Sequence, residues 1–383
     1  MLQRKAPPCE PAAALSGNPL SLPPYLLTEV TLGNPDMSSK PKHMAPDSRS
    51  MNELGESGII DWICRNGPAR HREDVIRAIG DDCAVLQFTN AKDLLVTTDT
   101  MVEGTHFTAQ TLPPDALGWK LLASNISDIA AMGGIPKTAF LSLAWTGNTS
   151  TGFMEAFIAG LTDLAQQTDI ILAGGDTVES PAGDVVTLTL LGECPHGGAI
   201  YRNGARIDDE IWVSGCLGNA AGGLFILKGG LSEEMHARPS LVAAHQKPTP
   251  RAELGNRLAQ SGLIHAMIDL SDGISTDLSH ICRQSGVGAA LDRSALPISK
   301  DLRQLGERTD QDPEQWALHG GEDYELLFTA PSSHRKRIET LGGHDPTLRI
   351  RRIGKIIEGG GLSLVDETGQ VELIPGGYSH FST

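Results

Sequence analysis

The chain lacks cysteine and histidine patterns typical of zinc or disulfide proteins. Its six cysteines are scattered over 383 residues and form no Cys-x-x-Cys pair, so neither a zinc site nor a disulfide framework is indicated. The twelve histidines form no His-Glu-x-x-His pattern, which argues against the common zinc-hydrolase signature. We expect the cysteines to be buried reduced thiols, as in a cytoplasmic protein.

Basic charge, aromatic residues and long apolar runs are also scarce. The net charge is −16 and aromatic residues make up 4% of the chain, whereas nucleic-acid binding needs a basic face and often aromatic stacking. No apolar run approaches the roughly 20 residues that span a bilayer. The sequence therefore predicts a soluble, cytoplasmic protein that binds neither nucleic acid nor membrane and is long enough for two domains.

A phosphate-binding Gly-x-x-x-x-Gly-Lys-Ser/Thr loop is absent as well, but carboxylates recur beside glycines and at the ends of apolar runs. Five segments, predicted to be loops, carry them: Gly80-Asp81-Asp82, Thr97-Thr98-Asp99, Gly174-Gly175-Asp176, Asp269-Leu270-Ser271-Asp272-Gly273 and Gly320-Gly321-Glu322-Asp323. A single such aspartate is ordinarily a turn residue. Several of them after strands would meet where α/β sheets bind ligands.

Convergence of these loops would create a strongly charged patch. Two carboxylates about 4 Å apart repel by roughly 4 kcal/mol at an effective dielectric near 20, so the patch must take up protons or bind cations. Oxygen ligands without histidine or cysteine favour Mg²⁺, which commonly lies between carboxylates and phosphates. The pattern indicates metal-bridged phosphate chemistry.

A sixth carboxylate, Asp128, lies in a predicted helix that begins at Asp115 as its cap. Leu121, Asn125, Asp128 and Met132 follow helical spacing and share one stripe. Either this stripe meets solvent or a neighbouring turn, or it borders a cleft in which Asp128 holds a metal ion. The roles of two further residues also have two interpretations. Arg202 could be a surface or linker arginine or a nucleotide contact, and His106 a structural histidine or a substrate contact.

Composition and patterning divide the chain into three parts. Residues 1–52 are rich in Pro, Ser and Ala, lack periodicity and are predicted to be disordered; an internal start at Met44 or Met51 is a hypothesis. Residues 53–204 and 205–383 are predicted to be two α/β halves of similar size. The first half opens with a short helix over 53–66 and a β-hairpin around residues 90–93.

Six motifs, in order, resemble the thiamine-monophosphate kinase family. They cover the chain from about residue 55 onwards and are Gly80-Asp81-Asp82-Cys83-Ala84, Thr98-Asp99 with Val102-Glu103-Gly104-Thr105-His106-Phe107, Asn125-Ile126-Ser127-Asp128-Ile129-Ala130-Ala131-Met132-Gly133, Gly174-Gly175-Asp176-Thr177, Ile268-Asp269-Leu270-Ser271-Asp272-Gly273 and Gly320-Gly321-Glu322-Asp323-Tyr324-Glu325-Leu326. The ending Gly377-Tyr378-Ser379-His380-Phe381 is also similar to that family. One departure is Asn203 after Arg202, where the family commonly has serine.

The resemblance implies an α/β (α+β) fold of two domains like aminoimidazole ribonucleotide synthetase, with the N-terminal half contributing to the β-barrel of a homodimer. It implies phosphorylation of thiamine monophosphate by ATP, with several Mg²⁺ ions, to give thiamine diphosphate in the last step of its biosynthesis. By position, the implied metal ligands are Asp82, Thr97, Thr98, Asp99, Asp128, Asp176, Asp269 and Asp272. The implied ATP contacts are Gly175, Asp176, Arg202 and Ser271, and the implied substrate contacts are His106, Glu322 and Tyr378.

The predicted chemistry is direct in-line phosphoryl transfer, with Asp128, Asp176 and Asp272 as the catalytic carboxylates. The acceptor is a phosphate oxygen that is already ionised, so no general base is needed, and the task is to bring two anions together. A thiazolium cation would favour the carboxylate of Glu322 and the aromatic face of Tyr378.

Alternative functions stay open. Selenophosphate synthetase typically has a Cys-containing glycine loop near its start, the hydrogenase-maturation relative ends in cysteine, and aminoimidazole ribonucleotide synthetase lacks the Val-Glu-Gly-Thr-His-Phe segment. This chain has no such cysteine loop and ends in Ser382-Thr383. A non-catalytic sensor that keeps the fold is the alternative from a different class.

Overall fold

The computed structural model describes residues 75–77, 81–342 and 348–378, which fall in one compact unit. The predicted disordered segment 1–52 and the predicted helix over 53–66 lie outside these residues, as do Gly80 and residues 379–383. The domain boundary predicted at residues 204 and 205 stays a prediction, although each side of it carries its own sheet.

The first sheet has six strands in the order β1-β2-β3-β6-β4-β5. Its strands are β1 Val75–Arg77, β2 Ala84–Gln87, β3 Lys92–Val102, β4 Ile135–Thr146, β5 Ile171–Ser180 and β6 Val185–Pro195. Strands β2 and β3 pair antiparallel across the turn between them, which confirms the predicted hairpin. Only β4 and β5 pair in parallel, and β5 is an edge strand.

The second sheet has seven strands in the order β13-β12-β9-β11-β7-β10-β8. Its strands are β7 Asp209–Ser214, β8 Ala266–Asp269, β9 Gly288–Asp292, β10 Leu326–Pro331, β11 Ile350–Ile357, β12 Leu362–Asp366 and β13 Gly369–Leu373. Strand β8 lies at one edge and ends at Asp269, which is buried and accepts a hydrogen bond from Ser127 of the first half.

Ten α-helices occur in the described part of the chain. They are α1 Pro114–Ala131, α2 Thr151–Gln167, α3 Asn219–Lys228, α4 Ser232–Ala237, α5 Pro239–Gln246, α6 Ala252–Ser261, α7 Ile274–Ser285, α8 Lys300–Thr309, α9 Pro313–His319 and α10 Arg335–Leu341. Short 3₁₀ turns cover Arg202–Gly204, Arg293–Ala295 and Ser332–His334. Within these described residues, no helix combines the length and apolar character that crossing a membrane requires.

Helix α1 is the element that joins the two halves. Pro114 occupies its first turn, where a missing N–H costs nothing, and the N-cap position belongs to Pro113, so the prediction that Asp115 is the cap was wrong. Its middle packs against the first sheet, whereas Ala130 and Ala131 belong to a core cluster that includes Trp212 of the second sheet. Side chains of α1 therefore reach both halves.

Two of the five predicted loops are strand segments instead. Thr97-Thr98-Asp99 lies inside β3, and Gly174-Gly175-Asp176 lies inside β5. Glycine and aspartate are poor strand formers in isolation, but pairing with neighbouring strands overrides that preference. Because side chains alternate along a strand, consecutive residues in these segments point to opposite faces.

Candidate active site

Three carboxylates from distant parts of the chain meet at the end of α1. Asp82 precedes β2, Asp128 lies in the last turns of α1, and Asp269 ends β8. One carboxylate oxygen of each lies within 4.8 Å of the others. Asp82 and Asp269 are buried and Asp128 is partly buried. These oxygens form a donor set that suits a hard divalent cation such as Mg²⁺.

Hydroxyl groups support two of these carboxylates. Thr97 donates a hydrogen bond of 2.5 Å to Oδ2 of Asp128, and Ser127 donates one of 2.7 Å to Oδ2 of Asp269. Thr97 faces the core because it alternates with Thr98 along β3. The Ser127 contact spans the two halves, so α1 holds the second sheet's carboxylate next to its own.

The close packing of acids changes their protonation. Burial raises the pKa of Asp128 well above its usual range, and the negative charges of Asp99 and Asp269 raise it further. The pKa of Asp269 is raised in the same way, by burial and by Asp82. Burial also raises the pKa of Asp99, against the effect of a hydrogen bond from Ser124. A bound cation would relieve this repulsion, as it does in carboxylate metal sites.

Arg202 is tied to the same cluster. Its Nη2 donates to Oδ1 of Asp82 at 2.7 Å and its Nε to Oδ2 at 3.0 Å, a bidentate pair. Burial alone would lower the pKa of this guanidinium, but Asp82 raises it above its usual value. Arg202 is therefore a largely buried partner of the acidic cluster rather than a surface arginine, and its contact with a nucleotide stays a prediction.

The loop after β8 continues the site toward α7. The Ser271 carbonyl accepts a hydrogen bond of 2.8 Å from the Glu322 amide, and the Asp272 amide donates to Asp277 Oδ2 at 3.2 Å. Asp277 is 3% exposed, and burial raises its pKa well above the usual range, with a further rise from Asp272. Asp277 of α7 is therefore a buried acid close enough to Asp272 and Asp269 for their charges to act on it.

Glu322 lies beside that loop in a turn with an unusual backbone conformation. Five described non-glycine residues have a positive φ; three are aspartates, and the other two are Glu322 (φ 67°) and Tyr324 (φ 49°) of this one turn. Long side chains rarely adopt this region, and such outliers cluster at functional sites. The Glu322 carboxylate contacts Lys120 Nζ at 2.7 Å and His245 Nδ1 at 3.1 Å.

Tyr378 and His106 lie in segments outside the three-carboxylate cluster. The segment before Tyr378 is held on the start of α7, because the Gly377 amide donates to Thr276 Oγ1 at 3.1 Å, and the tyrosine ring is 49% exposed. His106 follows β3, and its Nδ1 accepts a hydrogen bond of 3.0 Å from the Val102 amide. That bond gives His106 a local structural role, whatever else the ring contacts.

Three of the residues implied by the resemblance lie away from the cluster. The Thr98 hydroxyl is on the exposed face of β3 and bonds with the Leu188 carbonyl and Thr189 hydroxyl. Asp176 lies on the exposed edge strand β5, opposite Ser142 of β4. Its neighbour Gly175 packs so closely that an added Cβ would lie 1.7 Å from the Leu141 carbonyl oxygen. The described chain alone does not bring these residues to the three carboxylates.

Several residues of the site were missed in the sequence. Lys120, Ser127, His245 and Asp277 all contact residues that the motifs do include. The position of Lys120 could have been noticed, since Lys120, Ser124 and Asp128 follow one another at intervals of four residues along the helix. His245 lies in no motif, and only tertiary contact identifies it.

Comparison with known proteins matches two parts of the chain to two family models. Residues 80–194 match "AIR synthase related protein, N-terminal domain", and residues 206–367 match the C-terminal domain of the same description. The chain is 40% identical over 319 residues to the thiamine-monophosphate kinase of Escherichia coli (strain K12), covering 82% of this chain and 94% of that protein.

Solved structures agree. One described as AaThiL complexed with AMPPCP and TMP has a TM-score of 0.76 and 32% identity over 87% of this chain and 99% of its own. The thiamine-monophosphate kinase of Stenotrophomonas maltophilia K279a has a TM-score of 0.66 and 39% identity, covering 80% of this chain and 94% of its own. Fold and carboxylate cluster therefore define an AIR synthase-related protein with two α/β domains. Within that class, the chain belongs to the thiamine-monophosphate kinase family.

Proposed function

We propose that this chain transfers the terminal phosphoryl group of ATP to thiamine monophosphate and produces thiamine diphosphate. The observation that carries the proposal is the cluster of Asp82, Asp128 and Asp269, which is assembled from three separated motifs of the family. The relative described as complexed with AMPPCP and TMP supports an ATP analogue and the phosphorylated acceptor as ligands of this fold. The cytoplasm stays the predicted location.

The cluster is proposed to hold Mg²⁺. Asp82, Asp128 and Asp269 would be its ligands, with Thr97 and Asp99 close by. The pKa values of Asp128 and Asp269 are raised because burial and neighbouring carboxylates disfavour their charged forms. Asp272, Thr98 and Asp176 are proposed as ligands of further Mg²⁺ ions, since Thr98 and Asp176 lie away from the three carboxylates. Mg²⁺ would supply positive charge to the phosphate oxygens of donor and acceptor.

The residues of the chain are proposed to position rather than to attack. The acceptor phosphate is ionised near neutral pH, so direct in-line transfer needs no protein nucleophile or base. Arg202, which is held by Asp82, is proposed to contact a phosphate of ATP, because a guanidinium suits phosphate oxygens. Gly175, Asp176 and Ser271 complete the proposed nucleotide contacts, and His106, Glu322 and Tyr378 the proposed substrate contacts.

A homodimer built on a shared β-barrel is part of the proposal. The face of the first sheet opposite α1 is exposed and carries Thr98, Thr100, Phe140 and Val178. A sheet face with this mixture of threonine and apolar residues suits burial against the same face of a second copy. Asp176 and Gly175 lie on this side of the molecule, so a partner would lie next to them.

The test is formation of thiamine diphosphate from ATP and thiamine monophosphate, measured by chromatography with and without Mg²⁺. Asp128→Asn should lower kcat by at least about 100-fold, because charge stabilisation in the transition state is lost. Asp163→Asn, which changes an exposed aspartate of α2, is the matched control and should leave the rate within about twofold. No product from the wild-type chain, or full activity in Asp128→Asn, would contradict the proposal.

A further inference from the structure

A lysine is buried on the helix that carries Asp128. Lys120 lies on α1 with its side chain 1% exposed, and its Nζ contacts Oε1 of Glu322 at 2.7 Å. A buried ammonium without a partner is strongly disfavoured, so a charged Lys120 depends on this ion pair, which a 3.3 Å contact between its Nζ and Nδ1 of His245 supplements. Glu322 is less deeply placed, since 30% of its side chain is exposed. The carboxylate therefore has a protein side, closed by Lys120, and an open side.

His245 of α5 closes the other oxygen. Its Nδ1 lies 3.1 Å from Oε2 of Glu322, and the ring is 1% exposed. Burial and the nearby Lys120 lower the pKa of His245, so the ring is neutral. Among the described residues its Nε2 has no hydrogen-bond partner. Nδ1 lies closer to Glu322 than to Lys120 Nζ, which is 3.3 Å away. A proton on Nδ1 would leave Nε2 with only an unused lone pair, whereas an imidazolium would bury an unsatisfied donor.

The two partners determine what Glu322 can offer a ligand. Burial alone would raise the pKa of Glu322, but the Lys120 ammonium and the His245 hydrogen bond lower it to about 2. The group is therefore a carboxylate, which accepts hydrogen bonds and donates none. Its charge is offset by Lys120, so it has little net attraction for a cation such as a thiazolium ring. On its exposed side, the carboxylate therefore offers lone pairs that accept hydrogen bonds from a ligand.

Helix α1 also sets where this acceptor lies. Lys120 and Asp128 are eight residues apart on α1, which corresponds to about 12 Å along the helix axis and about 80° around it. The Glu322 turn is fastened separately, through the bond between its amide and the Ser271 carbonyl. Helix α1 thus contacts Glu322 through Lys120 and contributes Asp128 to the carboxylate cluster.

We propose that Lys120 and His245 are positioning residues that hold the Glu322 carboxylate as a fixed acceptor for the amino group on the pyrimidine ring of the phosphate acceptor. Their contacts select an amine-bearing substrate by hydrogen bonding rather than by charge. The inference rests on the proposed function and deepens it. An analogue with an oxo group in place of that amine, oxythiamine monophosphate, would present an oxygen to the carboxylate and would be rejected.

The experiment compares steady-state kinetics of the wild-type chain and Lys120→Met with both substrates. In the wild type, kcat/KM for thiamine monophosphate should exceed that for the oxo analogue by roughly 100-fold. In Lys120→Met the KM for thiamine monophosphate should rise at least about tenfold and the discrimination should fall below about tenfold. The value of kcat and the KM for ATP should stay within about threefold, a split that loss of fold would not produce.

Controls separate the possible failures. Lys228→Met removes an exposed lysine whose charge also acts on His245, and it should leave discrimination unchanged. His245→Leu removes the second contact and should shift KM and discrimination in the same direction as Lys120→Met, so it decides the matter if Lys120→Met does not fold. Unchanged discrimination in a folded variant overturns the positioning roles. A wild-type chain that makes no thiamine diphosphate overturns the proposed function instead.

Discussion

Two kinds of buried carboxylate lie side by side in this molecule. Glu325 accepts hydrogen bonds from Arg251 at 2.7 and 2.5 Å, and Glu322 is balanced by Lys120, so these charges have their counter-charge within the chain. Asp128, in contrast, is surrounded by other acids that raise its pKa. Balanced carboxylates stabilise the fold and place hydrogen bonds, whereas unbalanced carboxylates require a proton or a cation.

The pair of Glu322 and Lys120 should make a pH-dependent contribution to stability. The pKa of Glu322 is lowered from 4.5 to about 2, so the contribution is present above about pH 4.5 and is lost as pH falls through 2. Glu322→Gln leaves Lys120 buried without its counter-charge, and should cost about 2 kcal/mol at pH 7. We expect the difference in Tm between wild type and variant to shrink steadily from pH 5 to pH 2.5, measured by calorimetry.

A matched variant tests the assignment of that pH dependence. Glu314→Gln changes a partly exposed glutamate of α9 that contacts Arg293, and its smaller Tm difference should vary little over the same pH range. A Tm difference for Glu322→Gln that stays constant between pH 5 and pH 2.5 would contradict the lowered pKa.

At the scale of elements, the close pairing of β5 with β4 requires glycine at one position of β5. Register pairs Leu141 with Gly175, and a Cβ on Gly175 would lie 1.7 Å from the Leu141 carbonyl oxygen, a backbone atom that cannot turn away. The family motif at this point is therefore also a packing requirement of the sheet. Gly175 is thus required for strand pairing whether or not this segment binds a ligand.

Gly175→Ala should force β5 away from β4. Overpacking of this kind costs about 1–3 kcal/mol, which lowers Tm by roughly 2–10 °C in a chain of this size. Gly174→Ala is the control, because its Cβ would meet only the Phe140 ring, at 3.6 Å, and should change Tm by no more than about 1 °C. Thermal unfolding followed by circular dichroism measures both, and equal Tm values for the two variants would refute the packing argument.

At the scale of the whole molecule, the exposed sheet face is the surface that a second copy would cover. Phe140 is 40% exposed and Val178 is 53% exposed on it. Phe88 is 64% exposed elsewhere, next to the turn between β2 and β3. Isolated exposed apolar residues are ordinary, so this face is a candidate interface only as part of the proposed dimer.

Light scattering after size-exclusion chromatography should give a mass of about twice the 40.7 kDa of one chain. Phe140→Glu should place a charge at the centre of the shared face and yield a monomer at micromolar concentration, since a buried unpaired charge costs several kcal/mol. Phe88→Glu should remain a dimer. A wild-type monomer, or dissociation by Phe88→Glu alone, would count against the proposed barrel.

Much of the secondary structure could be predicted from patterns of residues close together in the sequence. The hairpin before β3, helices α1 and α2, and the placement of Asp128 on an inward stripe follow from local periodicity. The prediction that the Thr97 and Gly175 segments are loops was wrong, because local composition favours turns there and only strand pairing overrides it. Whether Thr98 and Asp176 ligate a metal stays a prediction.

The chemistry available to this protein was determined by the sequence itself: many oxygen donors, no zinc or thiol pattern, and a set of motifs that belongs to one family. Which donors meet was decided only in three dimensions. Ser127 and Asp269 touch across 142 positions of sequence, and Lys120 meets Glu322 through contacts between the two halves. Local propensity does not encode such distances, because strand register, helix packing and burial together select which faces come together.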